Sequence, residues 1–156
     1  MVKKVIDNIK FRDAQIIFRN FSGKEGKFNP AGKRNFSVII EDSEFAKILQ
    51  KDGWNVRFFE QTEDNPEPSA HLQVAIGDSS RIIIVTKNNK TELTRNELNF
   101  LDWCDIDYVD LDVRPYNWEV GDKYGVKAYV KKMFINIIED DLDEKYANVD
   151  VLIEEE

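Results

Sequence analysis

The chain has 156 residues, of which 42% are hydrophobic and 33% are charged, a balance typical of a globular protein with one buried core. No apolar run approaches the roughly 18 residues that a membrane span requires, and the lysines near the start are not followed by the apolar segment of a secretory signal. The single cysteine, Cys104, excludes an internal disulfide. We therefore expect a single domain that does not enter a membrane and is located in the cytoplasm.

The net charge of −8 is distributed unevenly along the chain. Residues 139–156 contain nine acidic residues and one lysine, whereas residues 1–37 contain nine basic and three acidic residues. This asymmetry predicts a basic binding face within residues 1–138 and an acidic C-terminal tail over 139–156. A tail that serves only solubility is the alternative.

The predicted elements begin with residues 1–13, which have no clear period and form either a short first strand or an arm. The apolar runs 16–21 and 36–40 flank a loop rich in glycine and lysine, the pattern of a β-hairpin with a long, mobile connection. Basic residues on the loop and its shoulders are Arg19, Lys24, Lys27, Lys33 and Arg34. Interleaved with them are the rings of Phe21, Phe28 and Phe36. Cations attract phosphate and exposed rings can stack on bases. A solvated loop whose phenylalanines only anchor it to the core is the alternative.

The remaining elements follow from periodicity and capping signals. Residues 43–51 read as a helix capped by Asp42 or Ser43 and stopped at Gly53, and Thr94 begins a second short helix with Glu97 at capping-box spacing. Strands are predicted at 54–60, 71–76, 81–86, 105–115 and 125–138, with a loop at 87–94, a strand end or bulge at Pro115 and a turn at Gly121–Asp122.

This inventory predicts a mostly β fold, namely an OB-fold-like small β-barrel with one or two short helices and extended hairpin loops. The reasons are six to eight short strands, no regular alternation of strands and helices, and no internal repeat.

Catalysis has little support in the sequence. His71 is the single histidine and has no partner at a recognisable spacing, so it is expected to be a surface or hydrogen-bonded residue. Cys104 is expected to be a small buried residue, and the aspartates between residues 105 and 112 follow no metal-site pattern. No phosphate-binding loop is present. We expect a non-enzymatic protein without metal or cofactor.

A second group of rings and cations lies near the end of the domain. Arg114, Tyr116 and Trp118 alternate along one predicted arm, and Lys127, Tyr129 and Lys131 alternate along the next. Because side chains repeat every two residues on a strand, each set lies on one face. Tyr116 and Trp118 are either exposed stacking rings or core aromatics, a choice that the pattern leaves open. Arg57 and Phe59 could extend the same surface.

The sequence resembles the single-stranded DNA-binding proteins of phages and related mobile elements that are built on an OB fold. The resemblance rests on RNFSGKEGKFNPAGKRNFSV, on RPYNWEV followed by GVKAYVKKMF, and on the acidic C-terminus. It implies binding of displaced single strands in replication or recombination, with neither catalysis nor cofactor. It also implies that the tail contacts replication or recombination proteins or competes with DNA for the basic groove.

From these observations we predict a protein that binds single-stranded DNA with little sequence preference. Phosphates would contact the basic residues of the loop, Arg57, Arg114, Lys127 and Lys131, and bases would stack on Phe21, Phe28, Tyr116, Trp118 and Tyr129. The alternative is a non-enzymatic module that binds a protein and no nucleic acid. The preference for DNA over RNA and assembly into a homo-oligomer are left open.

Overall fold

The computed structural model describes residues 6–27, 29–64, 66 and 68–138, and in these residues the chain forms nine strands, one α-helix and one 3₁₀ helix. The strands are β1 (Ile9–Ala14), β2 (Ile16–Asn20), β3 (Asn35–Ile40), β4 (Val56–Phe58), β5 (Ala70–Ala75), β6 (Arg81–Val85), β7 (Lys90–Glu92), β8 (Ile106–Val120) and β9 (Lys123–Ile137). Helix α1 spans Ser43–Lys51 and the 3₁₀ helix spans Arg95–Asp102. No helix in the described part is long and apolar enough to cross a membrane.

All nine strands belong to one sheet. Its main path runs β1-β8-β9-β5-β3-β2, while β4 pairs with β5, β6 pairs with β9, and β7 pairs with β6. The mostly β class predicted from the sequence is thus confirmed. No strand ladder joins β1 to β2 within the described residues, so the sheet is not closed as a complete barrel would be. Strand β5 divides one edge between two partners: His71 lies opposite Arg57 of β4, and Ala75 lies beside Tyr129 of β9.

Strand alternation builds the core. Val109, Leu111 and Val113 of β8 are fully buried, and the intervening residues of that strand are not. On the first hairpin, the Phe21 and Phe36 rings are both buried and stack with centroids 5.4 Å apart at an interplanar angle of 11°. Apolar area removed from water in this way contributes about 25 cal/mol per Å² to folding.

The longest element is the β8–β9 hairpin, with 15 residues in each strand. Gly121 and Asp122 form its two-residue turn, with Gly121 at φ 60°, a backbone conformation that glycine adopts readily. Neither alternative predicted at Pro115, a strand end or a bulge, is found there, because β8 continues to Val120 and its register shift lies between Asp112 and Val113. Strand β1 pairs with β8 only as far as Val113, so β8 is an edge strand at Pro115. The N–H that proline lacks therefore costs no hydrogen bond with a neighbouring strand on that side.

Both predicted helices are present. Asp42 caps α1 by accepting hydrogen bonds from the backbone N–H groups of Glu44 and Phe45, and Thr94 and Glu97 form a capping box at the start of the second. The second helix has 3₁₀ geometry. The predicted loop at 87–94 is wrong in its centre, where β7 pairs with β6 and Glu92 forms a 2.7 Å ion pair with Arg81. All three β7 residues are exposed, so no hydrophobic period marks this strand in the sequence.

Candidate functional site

Directly opposed residues of β8 and β9 place the second group of rings and cations on one face of the hairpin. Arg114 lies opposite Tyr129, Tyr116 opposite Lys127, and Trp118 opposite Gly125. Side chains of directly opposed residues point to the same side of an antiparallel pair. The shared face predicted from alternation is therefore confirmed for these residues, whereas Lys131 falls at the register shift between Asp112 and Val113 and has no directly opposed residue on β8.

These rings are accessible to a ligand. Tyr116 is 58% exposed and Trp118 is 38% exposed, which decides against the core alternative. The Tyr116 and Tyr129 rings meet edge to face with centroids 6.2 Å apart, and Lys127 Nζ lies 5.0 Å from the centroid of the Tyr129 ring. We call Tyr116, Trp118, Lys127 and Tyr129 the aromatic platform.

Two glycines make room for the platform rings. A Cβ placed on Gly125 would lie 2.7 Å from the nearest Trp118 indole carbon, and one on Gly77 would lie 3.3 Å from Tyr129 Cδ1. Heavy atoms in real structures essentially never approach a Cβ as closely as the first value. The indole therefore lies flat against the backbone of β9, at a position that only glycine permits.

The platform is continuous with the sheet that the basic loop enters. Ala75 lies beside Tyr129 on one side and opposite Asn35 on the other, so one row of the outer face runs from Asn35 through Ala75 and Tyr129 to Arg114. Asn35 begins β3 directly after the loop, and the N–H of Ile76 donates to the carbonyl of Arg34 at 2.9 Å. The loop and the platform therefore meet at this end of the sheet.

Hydrogen bonds fix both ends of the basic loop. Asp102 of the 3₁₀ helix accepts from the N–H of Phe21 at 2.6 Å, and from the N–H and hydroxyl of Ser22 at 3.2 and 2.6 Å. Gly32 N–H donates to the carbonyl of Gly23 at 2.8 Å. The sequence predicts a mobile connection, but its ends are held against the 3₁₀ helix.

The cations of the loop lie in different environments. Lys24, Lys27 and Lys33 are exposed, as a phosphate contact requires. Arg34 is partly buried and donates to the carbonyl of Arg95. Its pKa is lowered by this burial and by the nearby Arg95 cation.

Two predicted site residues are structural instead. Phe21 is fully buried against Phe36, so its ring offers no face to a base and this prediction is wrong. Arg19 donates from one guanidinium nitrogen to the carbonyls of Leu101 at 2.9 Å and Cys104 at 2.7 Å. It thereby joins β2 to the end of the 3₁₀ helix, and the prediction of a phosphate contact is corrected to this structural role. Phe28 lies outside the described residues.

The other predicted cations are available at the surface. Arg57 on β4, Arg114 on β8 and Lys131 on β9 are all exposed. Arg57 lies opposite His71, at the end of β5 remote from the platform. Arg57 and Arg114 therefore lie on the same outer face but at separate points on it.

Three strongly exposed rings among the described residues are absent from the predicted site: Phe18, Trp103 and Tyr124. Trp103, 67% exposed, follows the 3₁₀ helix and lies under Lys24, whose Nζ is 5.7 Å from its centroid. Its position beside the predicted helix end was a usable signal, because a tryptophan there has no further helical turn to cover it. Phe18, 65% exposed on β2, had no such signal, because strand alternation assigns it to the same side as the partly buried Ile16.

His71 and Cys104 both lie in partly buried environments that shift their pKa values. The pKa of His71 is lowered by burial and by the Arg57 cation, and its Nδ1 is buried without a hydrogen-bond partner, contrary to the expected surface or hydrogen-bonded histidine. Burial raises the pKa of the Cys104 thiol, which keeps it protonated at neutral pH. In the described part of the chain, no three or more His, Cys, Asp or Glu side chains are grouped to hold a metal ion.

Comparisons with known proteins point in one direction. The model of the phage ssDNA-binding domain family matches residues 1–156. A solved structure of the single-stranded DNA-binding protein from bacteriophage Enc34 in complex with ssDNA is similar, with TM-score 0.56 and 12% identity over 85% of this chain and 88% of the phage chain. A C-terminal truncation of the same phage protein gives TM-score 0.52 and 13% identity over 85% and 87% of the two chains. No curated protein sequence matches the chain.

Proposed function

The chain belongs to the phage ssDNA-binding domain family, and on that premise we propose that it binds single-stranded DNA by base stacking on the aromatic platform and by phosphate contacts along the same face, with little sequence preference. The observation that carries this proposal is the convergence of Tyr116, Trp118 and Tyr129 on one accessible face, next to Lys127 and Arg114. Stacking tolerates every base, because all bases have a π-face.

The geometry supports a division of labour on this face. Tyr116 and Tyr129 meet edge to face, so a base can cover the open side of either ring. The amine of Lys127 lies over the Tyr129 ring in a cation–π contact, and from this position it can pair with a backbone phosphate. Arg114 and Lys131 place further positive charge on the exposed part of the two strands. A strand bound here would have its bases on the rings and its phosphates toward the cations.

The basic loop would extend the contact beyond the platform. Lys24, Lys27 and Lys33 are exposed on it, and Trp103 under Lys24 repeats the pairing of ring and amine seen at Tyr129 and Lys127. Anchoring of the loop by Asp102 reduces the conformational entropy lost when DNA binds.

Binding of oligo-dT is expected to weaken as salt increases, because each phosphate neutralised by Lys or Arg releases counterions. The logarithm of affinity should fall against the logarithm of salt concentration with a slope of about −0.7 per contact on single strands. Fluorescence titrations at several salt concentrations measure this slope. Lys127→Gln should reduce it by about 0.7, whereas Lys47→Gln on α1, where the amine pairs with Glu44, should leave it unchanged.

Absence of binding at low salt would refute the proposed function. An affinity that does not change with salt concentration would contradict the proposed phosphate contacts.

The acidic segment 139–156, which lies outside the described residues, is proposed to compete with DNA for the cations of the binding face. Its nine acidic residues carry the sign of a phosphate backbone. A chain that ends at residue 138 should bind oligo-dT more tightly than the full chain at low salt, and the difference should shrink at high salt because screening weakens the competition. Weaker binding by the shortened chain would contradict this role.

We further propose that the protein acts on single strands during phage replication or recombination in the host cytoplasm, with the tail as a contact for other replication proteins. Family membership and the charge distribution support this setting. Pull-down of replication proteins from infected cells by the full chain, but not by the chain ending at residue 138, would test the contact. Equal capture by both chains would contradict it.

A further inference from the structure

A second group of rings lies on the outer face of the sheet, away from the aromatic platform. The Phe18 ring meets His71 edge to face with centroids 5.3 Å apart, and the Phe59 ring lies 5.1 Å from His71 on a tilted contact. His71 is directly opposite Arg57. Three rings and one exposed cation therefore form a compact group at the β2, β4 and β5 end of the face.

An unusual backbone conformation exposes Phe18. In a regular strand it would point to the same side as Ile16, which lies opposite the fully buried Val38. The β2–β3 register is instead interrupted between Ile17 and Asn20, and Phe18 has φ 52°. Such an irregularity redirects a side chain, and a phenylalanine at positive φ is conformationally unfavourable. The chain adopts it while leaving the ring 65% exposed, although burial would stabilise the fold.

The ring group is continuous with the platform along β5. His71 and Ala75 lie on the same side of this strand, and Ala75 is beside Tyr129. Four residues of strand span about 13 Å. At the roughly 3.4 Å spacing of stacked nucleotides, this distance corresponds to about four nucleotides, and to fewer if the strand is stretched.

The chemistry of the group suits a nucleotide. Burial and the neighbouring Arg57 lower the pKa of His71, so at neutral pH its ring is an uncharged aromatic support between the two phenylalanines. Arg57 then supplies the positive charge of this ring group, and its side chain is exposed. The Phe18 ring and the Arg57 cation both contact or face His71, so a base on the ring and a phosphate near the cation can belong to one nucleotide.

We propose that Phe18 is a second stacking site for a nucleobase of the strand held on the platform, and that Arg57 contacts a phosphate next to that base. The inference rests on the proposed function and deepens it, since it gives the bound DNA a path across the sheet between β8 and β2. His71 and Phe59 act as positioning residues that support the Phe18 ring.

Comparison of two 12-nucleotide ligands, (dT)12 and an abasic strand with the same phosphates, tests the proposal. Phe18→Ala should lose about tenfold in affinity for (dT)12 and nothing for the abasic strand, because only a base can stack. Phe18→Trp should retain or improve binding to (dT)12. Ile48→Ala, which removes an exposed apolar side chain from α1, is the matched control and should change neither affinity.

The outcomes separate this inference from the function on which it rests. Unchanged (dT)12 affinity in Phe18→Ala overturns the second site, and the function stands if the platform variants described below are weakened. Equal loss on both ligands also overturns it, since Phe18 would then not be stacking on a base. If the unmodified protein fails to bind (dT)12, the proposed function and this inference fail together.

Discussion

Replacement of both Tyr116 and Tyr129 by alanine is expected to weaken oligo-dT binding by about a hundredfold or more, because each base stacked on an aromatic ring contributes about 1–3 kcal/mol. The two rings are in contact, with centroids 6.2 Å apart, so the double variant removes the centre of the platform. Folding should be little affected, since Tyr116 is well exposed and Tyr129 is half-buried. Fluorescence anisotropy of labelled oligo-dT measures the loss.

Tyr124→Ala is the matched control for this variant. Tyr124 is 73% exposed on the same hairpin and lies opposite Glu119, on the face that alternates with that of Trp118. Its removal should leave affinity unchanged. Equal losses in the Tyr124 and platform variants would show that both faces of the hairpin bind DNA. If stacking is the mechanism, the double variant Tyr116→Phe, Tyr129→Phe should bind oligo-dT as tightly as the parent protein, because phenylalanine keeps the ring.

Gly125→Ala reaches the same site by another route. The new Cβ would overlap the Trp118 indole, so the ring must leave its position on β9. The affinity lost should match that of Trp118→Ala, and the two changes combined should cost no more than either alone. Additive losses would mean that Trp118 binds DNA from some other position.

Phe21→Ala is expected to destabilise the fold by about 3–5 kcal/mol, because a large buried ring is replaced by a cavity. Phe21 is fully buried and stacked on Phe36. Urea denaturation followed by tryptophan fluorescence gives the loss, which should appear as a lower midpoint with an unchanged slope. Folded variant protein at low temperature should still bind oligo-dT with nearly the parent affinity.

Phe21→Leu provides the comparison, since it keeps most of the buried volume and should lose much less stability. A Phe21→Ala protein of normal stability that fails to bind DNA would reverse the assignment and return Phe21 to the binding face.

Much of this architecture could be predicted from local pattern. The α1 cap at Asp42 and the capping box at Thr94 each depend on residues within a few positions of one another, and the first hairpin joins two strands that are consecutive in the chain; all three are present. The shared face of Tyr116 and Trp118 also follows from alternation alone. Whether that face is open or covered does not, because the answer depends on which strands pack against the hairpin.

The mistaken site residues have the same cause. Arg19 and Phe21 lie among cations in the sequence, but both have structural roles. Each forms hydrogen bonds with the 3₁₀ helix region about 80 residues later, and the Phe21 ring also stacks on Phe36. Phe18 was missed for a related reason, since strand alternation assigns it to the side of the partly buried Ile16 and only the register irregularity places it at the surface.

The sequence by itself determined most of the strands, both helices, the shared face of Tyr116 and Trp118, and where positive and negative charge accumulate along the chain, because these properties depend mainly on near neighbours. Only the tertiary structure decided which face is open, which rings are buried and which cations are engaged by backbone carbonyls. Those outcomes depend on contacts between segments that are distant in sequence, such as Tyr129 with Ala75 and Arg19 with Leu101.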